Sequence, residues 1–97
     1  MIRHVVILHF KSETRTEDVQ AIVTGLQALP DKIPQIQNYC VGQDLTLVEG
    51  NADFGIVADF ATAEDFKAYA NNPDHLEVIQ SVIKPHVASR VAIQYSI

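Results

Sequence analysis

Tyr69-Ala70-Asn71-Asn72-Pro73-Asp74-His75 sets a phenol and an imidazole six residues apart, across a proline. Tyr and His are side chains that move a proton on and off carbon or oxygen near neutral pH. The stretch falls between the end of one helical pattern and the start of the next. Pro73 biases Asn72 out of the helical region, which demands a turn, and the turn can fold the two rings towards each other. An imidazole with an ordinary pKa near ~6.5 is mostly neutral at physiological pH, so His75 can act as a base. Tyr69 can donate a hydrogen bond to a carbonyl oxygen or orient the imidazole. His4, on the first apolar run, is a third candidate and can hold a second oxygen. Val6, Leu8, Ile22, Leu26, Ile56, Phe66 and Leu76 are the side chains expected to wall an apolar cavity around them. The chemistry is proton transfer on a small, apolar, carbonyl-bearing ligand, with no metal, nucleotide or other cofactor required.

The same residues have structural uses. A His in a first helical turn often caps or faces water, and an inward Tyr is often core with its hydroxyl at the rim. His9 and His86 read as structural or exposed, and four histidines this widely spread lack metal-ligand spacing. Cys40 is the single cysteine, so no intrachain disulfide can form, and it reads as a small buried hydrophobe. Asp44 and Asp53 read as turn and strand-end residues. Glu64 and Asp65 suit the positive first turn of a helix.

The elements that must position these groups follow from periodicity. Ile2 to Phe10 is a β-branched, apolar run that reads as a strand, with His4, Val6, Leu8 and Phe10 on one face and Arg3, Val5, Ile7 and His9 on the other. Thr14 and Glu17 have capping-box spacing, with Thr16 as a rival cap. Val19, Ile22, Val23, Leu26 and Leu29 then keep helical spacing, and Pro30 is expected to stop that helix. Ile36 to Leu45 reads as a second strand and Phe54 to Phe60 as a third. Thr62 caps a second helix that carries Phe66, Tyr69 and Ala70 on one face. Asp74 can cap a third, short helix with Leu76, Val78 or Ile79, Val82 and Ile83 inward, which Pro85 ends. Val87 to Ile97 reads as the last strand, with Val87, Val91, Ile93 and Tyr95 sharing a face.

The order β-α-β-β-α-α-β is the split βαβ, ferredoxin-like plan of an α+β fold, with a four-stranded antiparallel sheet and helices on one face. Helices leave the other sheet face bare, yet it carries Val5 and Ile7. A second copy of the sheet is the simplest cover, so a two-fold homodimer is expected.

Ninety-seven residues make one domain, residues 1–97, and a core of modest size. Hydrophobic and charged fractions of 47% and 20% are those of an ordinary globular protein. A net charge of −5 with scattered Lys and Arg argues against nucleic-acid or anionic-membrane partners. The apolar opening run is too short for a signal peptide or a membrane span, and a cytoplasmic protein is expected.

Ile2-Arg3-His4-Val5-Val6, Leu29-Pro30 with Ile33-Pro34, Val41-Gly42-Gln43-Asp44, Asp53 to Phe60, Tyr69 with Asn72-Pro73-Asp74-His75, and the closing strand run in order nearly end to end. Together they resemble the stress-responsive A/B barrel (Dabb) domain family, a branch of the dimeric α+β barrels. The resemblance implies a small obligate dimer. One family member, the plant olivetolic acid cyclase, closes a linear polyketide by intramolecular aldol condensation. Its catalytic Tyr and His fall on Tyr69 and His75, and its strand histidine on His4. Leu26 stands where that enzyme has a pocket tyrosine, and Asn72 where the family often has His. The resemblance therefore implies a cofactor-free, polyketide cyclase-like enzyme. Members without a known reaction imply an alternative, a non-catalytic stress-response or interaction protein whose stable homodimer is the functional unit.

Overall fold

The computed structural model describes residues 1–97. In chain order the elements are β1 (Ile2–Phe10), α1 (Thr16–Gln27), a helical turn α2 (Leu29–Lys32), β2 (Asn38–Gln43), β3 (Phe54–Phe60), α3 (Ala63–Ala70), α4 (Pro73–Val78) and β4 (Val87–Ser96). One π-helical turn, Ile79–Ile83, and one 3-10 turn, Lys84–His86, carry α4 on to β4. The strands form one antiparallel sheet in the order β2-β3-β1-β4, the ferredoxin-like arrangement.

Alternation along β1 sets the two faces. His4, Val6 and Leu8 are buried under the helices, while Ile7 on the other face is 38% exposed. Val6, Leu8, Ile56, Ala58 and Phe60 from the sheet meet Val19, Ile22 and Leu26 from α1, Leu29 from α2 and Tyr69 from α3. Fully burying each of the large aliphatic residues stabilises the fold by about 1.5–3 kcal/mol. Gly25 permits the close approach of α1 to α4: a Cβ there would lie 3.3 Å from Cγ1 of Val78.

Several local expectations change. β2 is shorter than the run from Ile36 to Leu45. α1 begins at Thr16 with Arg15 as the capping position, because Asp18 reaches back to accept the Arg15 backbone N–H at 2.9 Å. Pro30 and Pro85 do not stop helices; each sits in the first turn of a short one, where a missing N–H loses no bond. Val87 does not share a face with Val91, Ile93 and Tyr95. A register shift pairs Ser89 with His9 but Val87 with Phe10, which turns Val87 to the helix side. Cys40 is exposed rather than buried, on the outer face of β2 opposite Val57.

The outer face holds a line of exposed apolar side chains, Ile7, Val91, Ile93 and Tyr95. It also holds one buried carboxylate. Arg3 Nε–H and Nη2–H donate to the two Asp59 oxygens at 2.8 and 2.9 Å, and Asn38 donates at 3.2 Å. The Arg3 hydrogen bond holds the Asp59 carboxyl below the usual carboxylate range. A shallow depression of about 560 Å³ on this face is bordered by Ile7, Cys40, Gly42 and Gly55. No helix is long and apolar enough to cross a membrane.

Candidate active site

α3 ends with Asn71 and Asn72 making the turn that the proline demands. Thr62 caps α3 by accepting the Asp65 N–H at 3.1 Å, which fixes the phase that turns Tyr69 inward. Asn72 is extended, its side chain accepts the Asp74 N–H at 2.9 Å, and Pro73 opens α4. The result stacks the Tyr69 and His75 rings with centroids 4.1 Å apart and planes tilted by 35°. His4 comes from β1 on the same side, 6.2 Å from the Tyr69 ring and 4.9 Å from Phe66.

The hydrogen bonds assign the ring nitrogens. His75 Nδ1 lies 3.2 Å from the carbonyl of Ala70, a C-terminal oxygen of α3 with no helical partner. A carbonyl only accepts, so neutral His75 carries its hydrogen on Nδ1 and keeps a lone pair on Nε2. His4 is the opposite case. The Gln94 amide donates to His4 Nδ1 at 2.9 Å, so neutral His4 carries its hydrogen on Nε2. No buried side-chain nitrogen or oxygen lacks a partner. Neither Nε2 has a partner, so both reach accessible space. One imidazole thus offers an acceptor and the other a donor.

Burial keeps both rings neutral. It lowers the His4 pKa to about 4, with help from the charge of Arg90 and, once His75 is itself protonated at lower pH, from that of His75. It also lowers His75, against a smaller opposing effect of the Ala70 carbonyl. Tyr69 is 2% exposed, and its hydroxyl pairs with that of Tyr39 at 3.1 Å rather than with His75. Burial pushes both phenols up, so both stay protonated. Two hydroxyls sharing one hydrogen bond leave one O–H free to donate onward. With Tyr39 donating to Tyr69, that free donor belongs to Tyr69, which borders the cavity.

The cavity measures about 210 Å³ and is lined by His4, Val6, Leu8, Leu26, Ile56, Phe66, Tyr69 and His75 from the expected set. Ile22 and Leu76 are elsewhere. Ile22 is fully buried in the core, and Leu76 is 43% exposed because the phase of α4 that turns His75 inward turns its neighbour out. Six further side chains complete the wall: Ala70, Ile79, Ile83, Lys84, Val87 and Arg90. Arg90 and Gln94 are legible only through the register of β4, which sets Arg90 opposite Leu8 and Gln94 opposite His4. Tyr39 pairs with Ala58 across β2 and β3, which puts it on the inner face. No three His, Cys, Asp or Glu side chains come together as a metal-binding group. His86 lies 3.7 Å from Asp18, and His9 is exposed.

A family model described as the Stress Responsive A/B Barrel Domain matches residues 2–97. No curated protein gives a significant match. Among solved structures, a dimeric ferredoxin-like protein of unknown function from Thermobifida fusca YX is 38% identical, with a TM-score of 0.92, covering 99% of this chain and 90% of that one. A dimeric protein of unknown function and ferredoxin-like fold from Bacteroides fragilis NCTC 9343 is 21% identical, with a TM-score of 0.88, covering 99% and 95%. A hydroxynitrile lyase from Passiflora edulis is also 21% identical, with a TM-score of 0.85, covering 99% and 92%. The last two likenesses concern the fold alone.

Proposed function

The chain belongs to the stress-responsive A/B barrel family, and from that membership we propose a cofactor-free enzyme that moves protons on a small, apolar, carbonyl-bearing molecule. The reaction is an intramolecular aldol cyclisation of a polyketide-like substrate. One observation carries this reading: the unpartnered Nε2 atoms of two neutral imidazoles, an acceptor on His75 and a donor on His4, belong to side chains lining one apolar cavity.

His75 Nε2 removes a proton from the carbon beside a carbonyl. His4 Nε2–H donates to the oxygen on which negative charge develops, and the Tyr69 O–H can join it when Tyr39 donates to Tyr69. The enolate carbon attacks a second carbonyl of the same molecule and forms the carbon–carbon bond. The imidazolium then returns its proton to the new alkoxide, so no proton is gained or lost overall. Tyr69 stacks on the base and holds its ring in place. The site motif is similar to that of olivetolic acid cyclase, and the Passiflora edulis neighbour's name puts an enzyme on the same fold.

The volume limits what can enter. An apolar cavity of about 150 Å³ holds one benzene, so this one encloses roughly eight to ten non-hydrogen atoms. Any longer tail extends through the mouth. A purely structural dimer predicts a closed interior at this place, and the cavity weighs against it. The homodimer itself remains part of the proposal. It is supported by the uncovered line of Ile7, Val91, Ile93 and Tyr95 and by relatives described as dimeric.

The test assays poly-β-keto substrates with His75→Ala and Tyr69→Phe. Loss of a general base lowers the rate by about 100-fold or more, with circular dichroism unchanged, and Tyr69→Phe lowers it less. Full activity in both variants removes the mechanism.

A further inference from the structure

Two cations border the cavity in a chain whose net charge is −5, and no Asp or Glu borders it. Arg3 is the only Lys or Arg side chain within ion-pair distance of a carboxylate, so neither Lys84 nor Arg90 is neutralised by one. Exposure alone decides nothing, since a solvated guanidinium needs no partner. The placement of the charge is more informative. In the β4 register Arg90 lies opposite Leu8, on the helix-facing side that also carries His4 and Val6. Lys84 arrives from the 3-10 turn that precedes β4. The charge of Arg90 is close enough to lower the pKa of His4, Tyr69 and His75 alike. An uncompensated positive field therefore covers the one hollow where the imidazoles open.

From this we infer that the cavity takes an acid: a one-ring-sized apolar ligand whose carboxylate is gripped by Arg90, with Lys84 beside it, while its carbonyl part enters among His4, Tyr69 and His75. This rests on the reading of the cavity as the ligand site given above. Guanidinium and carboxylate match as a planar, two-point pair. The anion also has a chemical effect. Held beside both imidazoles, it favours their protonated forms and raises the proton affinity of the base. A neutral substrate leaves the His75 pKa low, whereas an acid tunes it upward on binding.

The experiment titrates the full-length protein with phenylacetate, phenylacetamide and inorganic phosphate, read by amide and histidine NMR shifts near neutral pH. Phenylacetate is expected to bind about tenfold or more tightly than its amide, to shift the signals of Tyr69, His75 and Arg90, and to raise the His75 pKa. The preference is expected to vanish in Arg90→Gln combined with Lys84→Gln, while phenylacetamide binds the wild type and the double variant equally. Equal binding of acid and amide by the wild type overturns the inference but leaves the cavity as the ligand site. Acid preference surviving in the double variant also overturns it. Phosphate binding as tightly as phenylacetate overturns it as well, because the anion site is then independent of the hollow. Absence of all binding overturns the inference together with the cavity reading.

Discussion

Replacing His4 by Gln should flatten the acid limb of the stability curve. In the native chain His4 is 5% exposed and neutral, with Nδ1 accepting from Gln94. Protonation sets a hydrogen on Nδ1 against the amide hydrogen, so the Gln94 amide must turn over. Burial, then the charges of Arg90 and His75, hold its pKa at about 4 against an ordinary 6.5. As pH falls, the unfolded chain takes the proton first, so stability is complete above about 6.5 and declines until about pH 4, below which His4 adds no further loss. The full difference amounts to about 2.5 kcal/mol between about pH 7.5 and 4.5. The ring borders a cavity that water can enter, and screening reduces this to about 1–2 kcal/mol. Urea unfolding at fixed protein concentration measures it. The wild type should lose about 1–2 kcal/mol more than His4→Gln between those two pH values, since the other titrating groups are present in both and only His75 is coupled to His4. Parallel pH dependences in the two proteins would refute the buried, neutral His4 on which the donor assignment rests.

Two further outcomes follow from the geometry. Tyr39→Phe leaves the buried Tyr69 hydroxyl without its partner and should destabilise the fold by about 1–2 kcal/mol in urea unfolding, whereas Tyr39→Phe with Tyr69→Phe should lose less than the sum of the two single changes. Ile93→Glu sets a charge in the middle of the apolar outer face and should give a monomer in analytical ultracentrifugation; a variant that sediments as a dimer like the wild type counts against that face as the contact.

Alternation in β1 and helical spacing in α1 assigned the inner face, because a period of two or 3.6 is a property of the local chain. For the same reason Pro73 alone announced the turn that brings Tyr69 and His75 together, and the apolar run of the first strand offered His4 as a third candidate, which the family pattern supported. Those features depend on neighbours a few residues away, and the residue types report them directly. The rest of the site depends on pairings across the chain. The hydroxyl partner of Tyr69 is Tyr39, which the order β2-β3-β1-β4 brings beneath it. Arg90 and Gln94 joined the cavity through the registers of β4 on β1, and the shift at Phe10 turned Val87 inward against its apparent alternation. Ile22 and Leu76 were apolar in the right pattern, yet one vanished into solid packing and the other faced water. Local periodicity fixes which side of an element is apolar. Which nitrogen of each histidine is free, and which charge stands over it, is decided only when distant segments meet, because a proton's position is set by the partner across the gap.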